Sequence, residues 1–210
     1  MGLLIKLLLS YLLGSVLGSL LLGRLRGVDV RQHGSGNAGA TNALRVLGRG
    51  MAVAVLAIDA GKGIVAVTLI PALPFGPRPE LSWVPILCAF AVVLGHVYPV
   101  WYGFKGGKGA ATLIGVVLGL MPMGAAWIFA TWLLVLVLTG YVGLATLCAA
   151  LVAPLYVAAA VSDGLASPLG AFALIMAAFV FYTHRENIRR LLGGNENRFE
   201  RVMLLRRLRG

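Results

Sequence analysis

Residues 110–139 read AATLIGVVLGLMPMGAAWIFATWLLVLVLT, thirty residues without a charge. A helix crossing the roughly 30 Å hydrocarbon core of a bilayer needs about 20 residues at 1.5 Å rise. The stretch is long for one crossing and just long enough for two short ones. Pro122 stands in its middle, between Gly119 and Gly124, where its missing N–H interrupts a helix. Either the segment is one tilted, kinked helix, or it is two. That choice decides on which side of the membrane everything after it lies.

Five further apolar segments fall at about 3–23, 51–73, 83–101, 142–161 and 168–183. Of the 210 residues 60% are hydrophobic and only 12% charged, about half the charge of a soluble domain, and the mean hydropathy is +0.92. Disorder and a soluble globule are both excluded. Lys and Arg number 18 against 7 Asp and Glu, a net charge of +11. Nucleic acid is not the implied partner, since that reading needs a solvated basic face. The charge orients the chain instead. With the loop 24–49 inside, the loop 102–109 is also inside. If 110–139 crosses twice, the tail bearing Arg185, Arg189, Arg190, Arg198, Arg201, Arg206, Arg207 and Arg209 joins them. Fifteen of the 18 basic residues are then cytoplasmic, with Lys6 and Arg78 toward the outside and Lys62 within a helix. The positive-inside rule selects this arrangement.

The expected fold is therefore an all-α integral membrane protein, a bundle of seven transmembrane helices with its N-terminus outside and its C-terminus in the cytoplasm. The 110–120 arm suits a half-helix buried against protein. Residues 1–199 form one membrane-embedded domain and 200–210 a basic cytoplasmic tail. Segment 3–23 reads as a retained helix, because no small-x-small cleavage site follows it and a basic run does. The outside loops 74–82 and 162–167 read as turns. Cys88 and Cys148 lie in apolar runs and suit buried thiols, neither a disulfide framework nor a metal site.

Three inside segments carry unusual chemistry. The first is Gly34-Ser-Gly-Asn-Ala-Gly-Ala-Thr-Asn-Ala-Leu-Arg45. Its G-x-G-x-x-G spacing lacks the strand that a dinucleotide fold requires. Glycines this close let backbone N–H groups converge on an anion, and a helix starting near Ala40 adds its positive end. Ser35, Asn37, Thr41 and Asn42 add short polar groups and Arg45 a bidentate fork. A plain glycine linker is the competing reading. The second is Gly103-Phe-Lys-Gly-Gly-Lys-Gly109, which fails as a Walker A loop but sets two lysines before a helix; one of them can equally be a positive-inside anchor. The third is His184-Arg-Glu-Asn-Ile-Arg-Arg190. Continued helix places His184 and Asn187 on one face with Glu186 offset, as substrate contacts or as an interface cap. Together the three suit a phosphate-bearing ligand at the cytoplasmic interface.

Asp59 and Lys62, at i, i+3 inside a helix, suit a mutual ion pair better than substrate contact. His96 and Tyr98 suit packing. No His is followed five positions later by Asp, no carboxylate cluster suits a divalent metal, and no serine sits in a G-x-S-x-G elbow. No cofactor is expected.

Gly27-Val-Asp29, Gly34 to Asn42, Asp59-Ala-Gly-Lys-Gly63, Gly95-His96 with Pro99, Gly103 to Gly109 and His184-Arg-Glu-Asn187 resemble the bacterial acyl-phosphate-dependent glycerol-3-phosphate acyltransferases, in order from about residue 10 to 199. The resemblance implies a multi-pass inner-membrane enzyme that moves a fatty acyl group from acyl phosphate to the 1-hydroxyl of glycerol 3-phosphate. The product is lysophosphatidic acid, in the first acylation of phospholipid synthesis, and another enzyme supplies the acyl phosphate. It implies Ser35, Arg45, Lys105, His184 and Asn187 as catalytic residues. Gly34, Gly36, Asn37, Gly39, Thr41, Asn42, Gly106, Gly107, Lys108, Thr146 and Glu186 are implied as substrate-binding. A transporter or flippase for a phosphate ester is the competing class. One departure stands out: the family's Arg-Tyr-Val-Ser-Leu-Ala-Ser is here Gly140-Tyr-Val-Gly-Leu-Ala-Thr146. Either water fills the gap left by the missing hydroxyl or Thr146, one turn beyond Gly143, supplies a substitute, and restoring serine at 143 is expected to tighten substrate binding.

Overall fold

The computed structural model describes residues 1–76, 83–200 and 203; Arg78 and the tail residues Arg201, Arg206, Arg207 and Arg209 lie outside them. Among the described residues the secondary structure is helical, without strands. The chain divides into two compact units, Met1–Met121 and Pro122–Gly210.

The first unit holds α1 (Gly2–Gly14), α2 (Gly18–Arg24), α3 (Ala40–Val46), α4 (Arg49–Thr68), α5 (Trp83–Val97) and α6 (Ala110–Leu120), with single 3-10 turns at Val30–Gln32 and Val100–Tyr102. The segment expected as one helix over 3–23 is broken: α1 and α2 meet at 48°. Glycine packing directs the two halves to different neighbours. A Cβ on Gly14 would fall on the Val92 carbonyl of α5, and one on Gly18 would lie 3.1 Å from the Val55 carbonyl of α4. Similarly a Cβ on Gly115 would strike the Ala60 carbonyl, so α6 lies backbone to backbone on α4.

The break between α1 and α2 leaves backbone groups that lipid cannot satisfy. Lys62 Nζ reaches across from α4 and donates to the carbonyls of Gly14 at 2.9 Å and Val16 at 2.7 Å. Its ion-pair partner Asp59, at 3.0 Å, accepts from the Gly18 N–H at 3.2 Å. The third member is His96, whose Nδ1 lies 2.9 Å from Lys62 Nζ. All three side chains are buried. The spacing of Asp59 and Lys62 did indicate an ion pair; that the pair joins a broken helix was not legible. Lys6 is wholly buried and donates to the Pro71 carbonyl at 2.6 Å.

The second unit holds α7 (Pro122–Thr139), α8 (Val142–Ala160), α9 (Pro168–Thr183) and α10 (Arg185–Leu192). Residues 110–139 thus form two helices, separated at Met121 where φ is −149° and ψ 71°, with Pro122 opening α7. Proline is well placed there, since the first N–H of a helix has no partner to lose. Of α7 only Gly124, Ala125 and Leu136 are buried, while Trp127, Phe129 and Leu134 are about 60% exposed. Ser167 caps α9 through the Gly170 N–H at 2.9 Å. The helix expected to run on through 184–187 instead bends by 58° at His184. After α10 the chain returns to the α7–α8 turn: the Phe199 N–H meets the Gly140 carbonyl at 2.8 Å and Arg198 Nε the Thr139 carbonyl at 2.9 Å.

By length and composition α4, α5 with its following turn, α7 and α8 can each cross a membrane, making four spans, or six when each bent pair counts as one. The eleven-residue α6 is the short apolar helix beside them.

Breaking one member of a buried pair strands the other. Asp59→Asn and Lys62→Met should each cost about 3–5 kcal/mol, read by thermal unfolding in detergent. Asp59→Leu combined with Lys62→Met should cost less than the sum of the single changes.

Candidate active site

The first unit gathers two of the three motifs. Loop Gly34–Gly39 begins in left-handed backbone, with φ of +61° at Gly34 and +71° at Gly36. Asn42 organises it. Its Oδ1 accepts from the Ser35 N–H at 2.9 Å, and its Nδ2 donates to the carbonyls of Val30 at 2.7 Å and His33 at 3.0 Å. A Cβ on Gly34 would collide with this amide, so the glycine is required by Asn42. Asn42 is buried and its polar atoms serve the loop, which corrects the expectation that it offers a donor to a ligand. The anion-nest reading narrows in the same way, because the Ser35 and Gly36 amides are spent on Asn42 and on the His33 carbonyl. The Ser35 side chain is exposed, Asn37, Gly39 and Thr41 are half-buried, and α3 starts at Ala40 as expected, carrying Arg45 exposed in its last turn.

Loop Gly103–Gly109 is seated on the end of α5. The N–H groups of Gly106 and Gly107 donate to the carbonyls of Val97 and His96, each at 3.1 Å. A Cβ on Gly107 would strike His96 Nε2 and lie 2.9 Å from the Ala38 carbonyl. These glycines therefore bring the two loops into contact, and the charge is left to Lys105, exposed, and Lys108, half-buried.

Arg31, which the sequence reading passed over except as a basic residue, ties the loops together. It grips Asp29 with Nη2 at 2.8 Å and Nε at 3.1 Å. Its Nη1 donates to the carbonyls of Tyr102 at 3.3 Å and Lys105 at 3.2 Å. The guanidinium beside Asp29 holds that carboxyl below its ordinary value of 3.8, and the carboxylate in turn raises Arg31. Arg24, Asp29, Arg31 and Tyr102 also line a cleft of about 170 Å³. The i, i+2 spacing of Asp29 and Arg31 was the available signal.

The second unit holds the third motif. His184 is the hinge between α9 and α10, with φ −99° and ψ 11°, the sparsely populated bridge region where site residues recur. Its Nδ1 lies 2.9 Å from the Val180 carbonyl. A carbonyl only accepts, so Nδ1 carries a proton, and in the neutral form of the ring the lone pair is on Nε2. Asn187 is buried and its Nδ2 donates to Glu196 Oε1 at 2.6 Å. Glu186 faces the other way, exposed and paired with Arg189 at 3.0 Å, as its offset indicated.

Thr146 is not the spare hydroxyl that one of the two readings needs. It donates to the Val142 carbonyl at 2.9 Å and accepts from Trp132 Nε1 at 3.3 Å, so both roles are taken within α7 and α8. Nor is space vacant at Gly143. A Cβ there would lie 2.8 Å from Asn187 Nδ2 and 3.0 Å from Asn187 Cβ. Restoring serine at 143 would displace Asn187, and the expected gain in binding is withdrawn.

The Asp29–Arg31 tie carries a pH signature. A carboxyl held low in the folded state stabilises it fully above the unfolded value, about 3.9, and this is lost as pH falls through the lower folded value. The detergent-solubilised protein should lose thermal stability below about pH 4. Asp29→Asn should remove that part of the dependence; parallel profiles for the two proteins would refute it.

The family model described as glycerol-3-phosphate acyltransferase matches residues 4–194. The glycerol-3-phosphate acyltransferase of Geobacter sulfurreducens is 44% identical over 191 residues, covering 91% of this chain and 94% of that one. That of Aquifex aeolicus is 43% identical over 190 residues, covering 90% and 95%. Two crystal structures of PlsY, an integral membrane glycerol 3-phosphate acyltransferase, share the fold. The glycerol 3-phosphate form has a TM-score of 0.86 at 40% identity, over 95% of this chain and 96% of that one. The lysophosphatidic acid form has 0.85 at 38%, over 98% and 99%. With most of its length matched at such identity, and with the helices in place, this chain belongs to the glycerol-3-phosphate acyltransferase family.

Proposed function

We propose that the protein transfers a fatty acyl group from acyl phosphate to the 1-hydroxyl of glycerol 3-phosphate, giving lysophosphatidic acid and phosphate. One observation carries the reading: its solved relatives are described in a glycerol 3-phosphate form and a lysophosphatidic acid form. These two molecules differ by one acyl group on a hydroxyl. Family membership brings that conversion to this chain, and the two basic glycine loops supply what its phosphate-bearing substrates need.

In the step, the acceptor hydroxyl oxygen bonds to the acyl carbonyl carbon, the bond from that carbon to the phosphate oxygen breaks, and the hydroxyl proton leaves with the phosphate. Arg45 and Lys105 neutralise phosphate charge, with Lys108 adding to the field. Ser35, Asn37 and Thr41 donate to phosphate oxygens, and Gly34, Gly36, Gly39, Gly106 and Gly107 shape the loops that carry them. His184 and Asn187 orient glycerol 3-phosphate, His184 through Nε2. Acyl phosphate is a reactive mixed anhydride, so holding the two substrates together and stabilising charge supplies most of the catalysis.

The proposed topology counts α6 as the short seventh crossing, with the N-terminus outside, the C-terminus and the basic loops in the cytoplasm, and residues 1–199 as one working domain of the bacterial inner membrane. Both substrates then arrive from the cytoplasm, where an acyl-phosphate-forming enzyme supplies the donor.

Purified protein in detergent, given acyl phosphate and glycerol 3-phosphate, should form lysophosphatidic acid, and none above background with acyl-CoA. Equal rates with both donors would overturn the donor assignment. Absence of product with either, together with uptake of a phosphate ester into proteoliposomes, would favour a transporter.

A further inference from the structure

The first apolar segment ends in a cap. The Val28 N–H donates to the Gly23 carbonyl at 2.9 Å and the Gly27 N–H to the Arg24 carbonyl at 3.1 Å, with Gly27 in left-handed backbone at φ +65°. This is the Schellman arrangement. It takes up carbonyls at the end of α2 that would otherwise repel an anion. Beyond the cap the chain turns back, and Leu20 and Arg24 of α2 line the cleft of about 170 Å³ together with Asp29, Arg31 and Tyr102. Nothing stands within 4 Å of where a Gly27 Cβ would lie, so the turn is open at that point.

The charges of this cleft are unequally engaged. Arg31 spends its guanidinium on the Asp29 carboxylate and on the carbonyls of Tyr102 and Lys105. Asp29 and Arg31 are therefore neutral as a unit. The Arg24 side chain is exposed and has no hydrogen-bond or ion-pair partner among the described residues. The cleft thus presents one uncompensated positive charge, on a planar fork of N–H donors suited to phosphate oxygens. One charge matches a phosphodiester, which carries a single negative charge. A phosphomonoester such as glycerol 3-phosphate carries close to two at pH 7.

Position selects the source of that phosphodiester. Two apolar spans end at the cleft: α1 with α2 runs from Gly2 to Arg24, and the span through α5 runs from Trp83 to Tyr102. Beside the lining residues in the chain stand Leu21, Leu25 and Trp101, which are 43%, 74% and 60% exposed. A tryptophan at the end of a span marks the level of the lipid headgroups. A ligand in the cleft therefore meets a cation at its head and apolar surface beside it. We propose that the cleft binds the phosphodiester headgroup of a membrane phospholipid, with Arg24 as its anion contact, at a site separate from the residues proposed for catalysis.

Phosphatidylglycerol added to the detergent-solubilised protein should be retained in native mass spectrometry and should raise the unfolding temperature. Arg24→Gln should leave the lipid-free unfolding temperature unchanged and weaken phosphatidylglycerol binding about tenfold, the worth of one hydrogen bond to a charged group. Arg26→Gln removes the same charge from an exposed side chain that does not line the cleft, and should bind as the wild type does. Equal losses in the two variants would reduce the effect to general surface charge and overturn the proposal, as would wild-type binding in Arg24→Gln. Diacylglycerol with the same chains lacks the phosphate and should not displace phosphatidylglycerol; if it competes equally, apolar surface alone holds the lipid and the proposal falls. Inorganic phosphate and glycerol 3-phosphate at equal concentration should also fail to displace it. Displacement by either would make the cleft a site for a free phosphate and overturn the assignment to lipid.

Discussion

A lysine and an aspartate buried among apolar helices satisfy the backbone of the first unit where its first apolar segment is broken. The stretch Ser15–Leu17 between α1 and α2 is not helical, and non-helical backbone survives there only if protein satisfies it. Burying two charges costs several kcal/mol per ion before their attraction is counted, so an isolated pair would be a poor bargain. Here the charges take on backbone groups that would otherwise be stranded: Lys62 binds two carbonyls before the bend resumes as helix, and Asp59 takes an N–H after it. The break and the ion pair each make the other tolerable.

The same cluster reaches the candidate site. Lys62 donates to His96 Nδ1, which leaves the ring proton on Nε2, the atom that lies against Gly107. Gly107 in turn lies against the Ala38 carbonyl of the first loop, and Arg31 straps that loop to the carbonyls of Tyr102 and Lys105. A chain of contacts therefore runs from the broken span to both basic loops. Asp59 Oδ2 is buried without a hydrogen-bond partner among the described residues, so the cluster is held from one side of the carboxylate only.

The membrane class, the helix break at Pro122 and the identity of the three basic segments were legible because each is written in local sequence: uncharged length, a missing N–H, and glycines beside cations. The broken α1–α2 span was not, since residues 3–23 are uniformly apolar apart from Lys6, and only the packing of Gly14 and Gly18 on different helices bends them. The loop glycines read as anion nests, whereas the amides of Ser35, Gly36, Gly106 and Gly107 are taken by protein acceptors. Anion nests and close backbone packing need the same residue for the same lack of a Cβ, and sequence cannot separate them. Asn42 illustrates the difficulty, because a short amide in a glycine loop looks like a donor to a ligand until its partners are seen. Glu196 had no signal at all; its contact with Asn187 depends on the path of the chain after α10.

Once the glycines are seen to seat the loops, the candidate chemistry rests on side chains of three kinds: cations on the two loops, short hydroxyl and amide groups on the first, and an imidazole and amide at the α9–α10 bend. None of these is a strong base. His184 Nδ1 lies 2.9 Å from the Val180 carbonyl, so the proton sits there and Nε2 is the ring atom that can accept a hydrogen bond from a hydroxyl. That arrangement suits a reaction whose leaving group is itself a phosphate able to take up the proton. The proposed acyl-phosphate donor thus carries its own proton acceptor, and positioning and charge stabilisation are what the side chains have to add.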